Sequence, residues 1–137
     1  MIETALYESN FHDGSIIDIQ HKVNEILISM ESAEISDTEL ESIKLSDRNR
    51  LKGILHLKGI KSIFLNEKLF LEKLHLWADS AGILNLQISE GKIRLFVEWT
   101  NFPPKKSILP DAKYSDIVIE CEKIHWENVP DLYDPFG

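Results

Sequence analysis

The segment from Phe11 to Ser15, with the sequence Phe-His-Asp-Gly-Ser, collects residue types that could perform chemistry. A histidine, a carboxylate and a hydroxyl are the components of a nucleophilic triad. Neighbouring side chains on an extended chain point to opposite faces, so adjacency alone does not build a hydrogen-bonded relay. The other interpretation is a turn before a first strand, with Asp13 capping and Gly14 supplying a permissive φ. We favour the turn and keep His12 and Asp13 as a candidate polar site.

The other reactive residue types are scattered along the chain. The five histidines show no His-x-x-x-His spacing, and the single cysteine, Cys121, has no cysteine partner. We therefore expect no metal ion, and the dispersed glycines give no phosphate-cradling cluster that would predict a cofactor. Cys121 falls on the inward phase of a predicted strand, which is typical of a small apolar core residue. No carboxylate pair is placed as acid and base, so the sequence favours a non-enzymatic protein.

Charge is distributed unevenly along a chain whose formal net charge is −8. Six acids and no base lie between Glu25 and Glu41, whereas six bases and one acid lie between Lys44 and Lys61. Nucleic-acid binding is not expected, because phosphate contact needs a dominant basic face. An acidic surface suits a basic protein partner, although it can also serve solubility alone. The candidate partner contacts are acidic residues of the first segment and one aromatic residue on an otherwise polar strand face, namely Glu31, Glu34, Asp37, Glu39, Glu41 and Phe96.

Length and composition predict one domain spanning residues 1–137. A chain of 137 residues that is 43% hydrophobic can bury a single core. No stretch approaches the roughly 18 apolar residues of a membrane span, so no membrane association is expected. The start at Met1 shows neither a basic region nor an apolar run, and a single cysteine fits a reducing compartment. We therefore expect a cytoplasmic protein.

The clearest local pattern is a hairpin around Glu90-Gly91. Apolar and polar residues alternate on both sides of this two-residue loop, which is the period of half-buried strands. Phe96 is the only large apolar residue on the polar face. The predicted inward positions are Leu84, Leu86, Ile88, Ile93, Leu95, Val97 and Trp99.

Further strands are predicted from shorter alternating runs. Residues 15–19, with Ile17 and Ile19 on one face, and residues 25–30 form a first hairpin. Residues 54–57 and 60–65 form strands separated by a bulge or tight turn at Gly59. A last strand covers 116–127, where Cys121 and Trp126 lie on opposite phases. A bulge near Glu122 or Lys123 would bring both side chains to the core.

Two segments carry helical signals. Ser36 and Glu39 fit a capping box that predicts a short helix near 37–45, and a charged loop fits the same residues equally well. Between 67 and 81, apolar residues recur at helical spacing, which favours a helix packed on the sheet. Additional leucines leave that segment without a polar face, so a strand stays open as the alternative. The residues at helical spacing are Phe70, Leu74, Trp77 and Ala81.

These elements predict a mainly β fold, with α+β as the alternative. We expect an antiparallel sheet of about six or seven strands, sandwich-like or rolled over itself, with one or two short helices. A two-sheet sandwich and a single sheet with a helix on one face both satisfy the pattern.

Two parts of the chain carry a resemblance to known proteins. The opening Phe-His-Asp-Gly-Ser-Ile at 11–16, and Phe-Val-Glu-Trp at 96–99 with Pro-Lys-Lys at 104–106, resemble a class of small uncharacterised bacterial β-rich proteins. Those proteins begin with a His-Asp-Gly/Ser segment and end with a strand carrying a tryptophan. In build they are similar to immunity proteins of bacterial toxin systems. The resemblance implies a toxin-neutralising partner and brings no catalytic residues.

Three functions follow as hypotheses. The first is a non-enzymatic protein-binding module that meets a basic protein, an immunity-type role being the specific form. The second is a small metal-dependent or His/Asp-based enzyme that uses His12 and Asp13. The third is a structural domain that associates with a second copy of itself through Phe96 or a strand edge.

Overall fold

The computed structural model describes residues 10–35, 43–100 and 113–133. Seven strands and no α-helix occur in this part of the chain. The strands are β1 (Ser15–His21), β2 (Glu25–Glu34), β3 (Arg50–Leu65), β4 (Lys68–Leu69), β5 (Ser80–Ser89), β6 (Lys92–Thr100) and β7 (Tyr114–Asn128).

The described strands pair in antiparallel fashion, and all but β4 close into a six-stranded barrel. Strands β1, β2 and β3 form one meander, and β5, β6 and β7 form a second. Pairing of β3 with β7 and of β1 with β5 joins the two meanders along both sides. The mainly β, antiparallel prediction and the strand number are confirmed for the described residues. The sandwich is wrong, because the rolled sheet closes on itself.

Bulges bend the strands enough to allow this closure. The pairing registers advance by one extra residue at Ile17 in β1, at Lys61 in β3 and at Leu84 in β5. An extra residue on one strand bends it and increases its local twist. A small barrel needs such bends, because flat, evenly pleated strands do not close on themselves.

The bulges also change which predicted residues face inward. Ile16 is fully buried in place of Ile17, and Ile83 is fully buried in place of Leu84. A strict alternation of inward and outward residues fails at these points. Each extra residue moves the residues before it in the strand to the opposite face of the sheet. The other predicted inward positions of β5 and β6 are buried.

The last strand brings residues of both phases to the core, as predicted. Cys121 and Trp126 are both buried, with exposed Glu122 and Lys123 between them. The extra residue in the β3–β7 ladder is Lys61 on the opposite strand, so the expected bulge in β7 is wrong in its location.

Strand β3 runs continuously through the two runs that the sequence divided. Gly59, at the predicted break, has a φ of 70° and donates its N–H to the Asn24 carbonyl at 3.0 Å. A side chain here would meet Glu122, whose Cδ lies 2.7 Å from the Cβ position. The glycine therefore permits a bend within one long strand and does not end it.

The predicted helix between 67 and 81 is wrong. Residues 68–69 form β4, and the connection from 70 to 79 is irregular. Leu74 is buried in the core and its N–H donates to His21 Nδ1 at 2.9 Å. Trp77 packs edge-on against Trp99 with ring centroids 5.4 Å apart. Leu69 and Leu71 are exposed, so the apolar residues of this segment do not form one buried face.

The short helix predicted near 37–45 falls mainly on residues 36–42, which lie outside the described residues. The described remainder, 43–45, is not helical. No helix in the described ranges is long and apolar enough to cross a membrane.

Candidate functional site

A groove on the outer face of the barrel is the strongest candidate for a functional site. It has a volume of about 550 Å³, which lies within the range typical of ligand sites. It crosses β5, β6 and the start of β7, and the turn between β3 and β4 forms one wall. The groove, as named here, is lined by Asn66, Glu67, Asn85, Gln87, Arg94, Phe96, Tyr114 and Asp116.

The register of the sheet brings these side chains together. Asn85 on β5 lies opposite Phe96 on β6, and Phe96 lies opposite Asp116 on β7. Gln87 lies opposite Arg94 one pleat further along. Alternate residues of a strand share a face, so all these side chains project outward while the residues between them fill the core.

Asn66 and Glu67 form the two-residue turn that connects β3 to β4. Both residues have positive φ, 52° for Asn66 and 71° for Glu67. Positive φ at both central positions defines the type I′ turn that joins antiparallel strands, and glycine is the favoured second residue. Glutamate pays a steric cost in this region, so the turn holds Glu67 in a strained conformation at the edge of the groove.

Arg94 and Asp116 form a two-pronged ion pair at the base of the groove. Arg94 Nε donates to one carboxylate oxygen at 3.0 Å, and Nη2 donates to the other at 2.9 Å. The hydrogen bonds and the charge of Asp116 raise the pKa of Arg94, and Glu67 adds a smaller effect in the same direction. This geometry is the strong form of a guanidinium–carboxylate contact, and it occupies both groups.

Phe96 and Tyr114 give the groove its aromatic surface. Their ring centroids are 6.1 Å apart, and the residues are 36% and 45% exposed. Beside them, Lys113 Nζ pairs with Glu98 at 3.1 Å, and this pairing lowers the pKa of Glu98 and raises that of Lys113. Exposed aromatic rings with satisfied charges around them are typical of binding surfaces.

Two of the three charged side chains in the groove are paired with each other. A general acid or base needs an unoccupied titratable group aimed at a reacting atom. Here Arg94 and Asp116 occupy one another, and the remaining polar groups are amides, a phenol and one carboxylate. Within the described ranges, no group of three or more His, Cys, Asp or Glu side chains could hold a metal ion.

The structure places His12 and Asp13 in a turn, as favoured from the sequence. Gly14 donates its N–H to the Phe11 carbonyl at 2.9 Å, and His12 Nδ1 lies 2.6 Å from the Leu84 carbonyl. The side chains of His12 and Asp13 are 63% and 73% exposed, with His12 Nε2 and Asp13 Oδ2 3.9 Å apart. Asp13, rather than Gly14, takes the positive φ of 67°.

Glu31 and Glu34 have different environments. The Glu31 side chain is 12% exposed and pairs with Arg50 at 3.3 Å and with Lys52 at 3.4 Å. Glu34 is exposed at the end of β2. The other acidic candidates, Asp37, Glu39 and Glu41, lie outside the described residues.

Of the candidates named from the sequence, the groove includes Phe96. Sequence reasoning missed Glu67, Asn66 and Tyr114. The available signal was the dipeptide Asn66-Glu67 between Leu65 and Lys68, since asparagine favours a hairpin turn. The apolar residues that follow recur at helical spacing, and this pattern favoured a helix over a hairpin turn at Asn66-Glu67.

Comparison with known proteins adds no family assignment. A scan against protein-family models, a search of curated proteins and a search of solved structures each find no match to the chain.

Proposed function

We propose that the chain is a non-enzymatic protein-binding module that receives a segment of a partner protein in the groove. The observation that carries this proposal is the exposed pair Phe96 and Tyr114 in a concavity of about 550 Å³. Aromatic residues dominate the binding free energy at protein interfaces when a partner desolvates them.

The negative net charge of the chain favours a basic partner. A formal net charge of −8 raises the encounter rate with a positively charged protein and disfavours an acidic one. Exposed Glu34, at the end of β2, supplies an acidic contact for encounter outside the groove. Glu31 is less suited to contact, because Arg50 and Lys52 already neutralise its carboxylate.

The specific form of this proposal is an immunity-type protein that neutralises a toxin. Its support is the resemblance carried by residues 11–16 and 96–99, which includes Phe96 itself. The net negative charge of the chain would suit a toxin whose active surface is basic.

The test is an affinity capture from a lysate of the organism that encodes the chain, at low and high salt. The bait proteins are the wild type, the double variant Phe96→Ser with Tyr114→Ser, and Val23→Ser as a matched control. Val23 is 98% exposed on the β1–β2 turn, so its replacement also removes an exposed apolar side chain, away from the groove. We expect a stoichiometric partner that the wild type and Val23→Ser capture and the double variant loses.

Other results would redirect the assignment. A partner retained by all three baits would move the binding surface away from the groove, and Glu34→Lys would then be the next variant. A second copy of the chain recovered as the partner would favour the self-associating alternative. An absence of any partner would contradict the protein-binding proposal and leave the His12 and Asp13 enzyme to be tested with substrates.

A further inference from the structure

We propose that the groove is selective for a basic side chain, so that the partner's segment inserts a lysine or arginine whose charge meets Glu67 and whose stem lies on Phe96 and Tyr114. This inference rests on the proposed function, because it names the chemistry of the segment that the groove receives.

Glu67 is the one ionised group of the groove that has no ion-pair partner among the described residues. Arg94 and Asp116 satisfy each other through two hydrogen bonds. Lys113 and Glu98, next to Tyr114, are likewise paired. Glu67 acts on Arg94 only through its charge, and the three charged side chains of the groove sum to one negative charge, which a cation would neutralise.

The conformation of Glu67 is a second, independent reason to assign it a role. Its φ of 71° is unfavourable for a residue with a long side chain, and the preceding Asn66 makes glycine the stabilising choice at this position. Strained backbone that persists where a simpler residue would relieve it tends to mark a functional position.

The aromatic pair is suited to the stem and the head of such a side chain. Lysine and arginine have apolar stems that pack on rings, and their charged heads are attracted to ring faces. Lys113 Nζ lies 6.0 Å from the Tyr114 ring centroid, so a cation already approaches this ring within the chain itself.

The experiment selects peptides from a displayed random heptapeptide library against the immobilised full chain. Counter-selection uses the Phe96→Ser, Tyr114→Ser double variant, which removes groove-independent binders. We expect the recovered peptides to be enriched in lysine or arginine. The best peptide is then measured by fluorescence anisotropy in two forms, one with its basic residue and one with norleucine or citrulline in that position.

Four proteins are compared in the binding measurement: the wild type, Glu67→Gln, Glu67→Gly and Glu90→Gln. Glu90 is an exposed acid on the β5–β6 turn outside the groove, so Glu90→Gln controls for the loss of one negative charge. We expect both Glu67 variants to lower affinity for the basic peptide about tenfold, by about 1.4 kcal/mol. Glu90→Gln should change affinity less than about twofold, as screening weakens a distant charge.

Glu67→Gly separates binding from structure. It creates the Asn-Gly turn and relieves the positive φ, so its Tm should rise by about 3 °C while its peptide affinity falls. A residue that served only the fold would lose stability and binding together. In addition, the neutral peptide should bind the wild type and Glu67→Gln equally.

Failure of this inference differs from failure of the proposed function. Peptides that depend on Phe96 and Tyr114 but lack basic residues, and bind Glu67→Gln unchanged, would overturn the charge selectivity and leave the binding groove in place. A library that yields no peptide able to distinguish the wild type from the double variant would overturn both.

Discussion

Asn66 and Asp116 join the β3–β4 turn to β7 through two hydrogen bonds. The Asn66 N–H donates to the Asp116 carbonyl at 2.8 Å, and the Asp116 N–H donates to Asn66 Oδ1 at 2.8 Å. Because the Asp116 carboxylate also holds Arg94, the same residue connects the wall of the groove to its base. The position of Glu67 thus depends on its neighbour Asn66.

Asn66→Ala should destabilise the protein by about 2 kcal/mol. The substitution removes an acceptor from a backbone N–H, which costs about 1 kcal/mol, and it forces alanine into left-handed backbone, which costs about 1 kcal/mol more. Asn66→Gly is the matched control, since it loses the same side chain and glycine tolerates the φ of 52°. Urea unfolding measures both variants, and equal losses would show that backbone strain contributes nothing at this turn.

Glu31→Gln should destabilise the protein by about 3 kcal/mol, because it leaves the nearly buried ammonium of Lys52 without a counter-charge. The Lys52 and Glu31 side chains are only 11% and 12% exposed. Glu34→Gln, on the exposed end of the same strand, should change stability by less than about 0.5 kcal/mol. The measurement is the free energy of unfolding from denaturant titration. Comparable effects at both positions would contradict a structural role for the Glu31 pair.

Gly14→Ala should destabilise the protein by at least about 2 kcal/mol through overpacking. A Cβ at this position would overlap the Glu31 carbonyl oxygen, where β1 begins beside β2. Gly82→Ala is the control, because its nearest neighbour, the Glu98 carbonyl oxygen, lies 3.8 Å from the Cβ position. Thermal unfolding of the pair provides the test. A tolerated alanine at position 14 would mean that the two strands separate without cost.

Acidification should loosen the connection between β4 and β5. Leu74 donates to His21 Nδ1, which can accept only while that nitrogen is unprotonated. Burial, with a smaller effect from the charge of Lys73, lowers the pKa of His21 below 6.5. A lowered pKa in the folded state means that the unfolded chain binds more protons. The stability contributed by neutral His21 is therefore complete above pH 6.5 and is lost as the pH falls through the folded-state pKa.

His21→Asn isolates this titration, since its amide oxygen can replace Nδ1 as an acceptor without a protonation step. The difference in unfolding free energy between the wild type and His21→Asn should be constant above about pH 7 and move in favour of the variant towards about pH 5. Tryptophan fluorescence is a suitable readout because Trp77 lies in this connection. If the difference in unfolding free energy stayed constant over the whole pH range, protonation of His21 would not control the stability of this connection.

Local patterns in the sequence were sufficient for the β5–β6 hairpin. Its alternation and the Glu90-Gly91 loop are both short-range features, and the observed register runs from Ser89 opposite Lys92 outward. The side chain of Phe96 could be assigned to the outer face for the same reason. Within this hairpin the alternation failed only at Leu84, where an extra residue turns the preceding side chains to the opposite face. The residue types of a strand do not indicate where a bulge lies.

The segment from Asn66 to Asp79 could not be interpreted locally. Helical spacing favoured a helix, yet tertiary contacts decide the outcome there: Leu74 enters the core, Trp77 packs on Trp99, and the chain reverses at Asn66. Burial of these side chains against the barrel outweighs a helix propensity worth only tenths of a kcal/mol per residue.

The sequence by itself determined the strand-forming runs, the acidic character and the outward position of Phe96, because these depend on residue type and a period of two. Only the tertiary structure decided that the sheet closes into a barrel and that Glu67, Arg94, Phe96 and Tyr114 share one groove. The pairing of β3 with β7 and of β1 with β5 joins residues far apart in the chain. Strand pairing depends on such non-local contacts, and the period of a strand does not specify its neighbour.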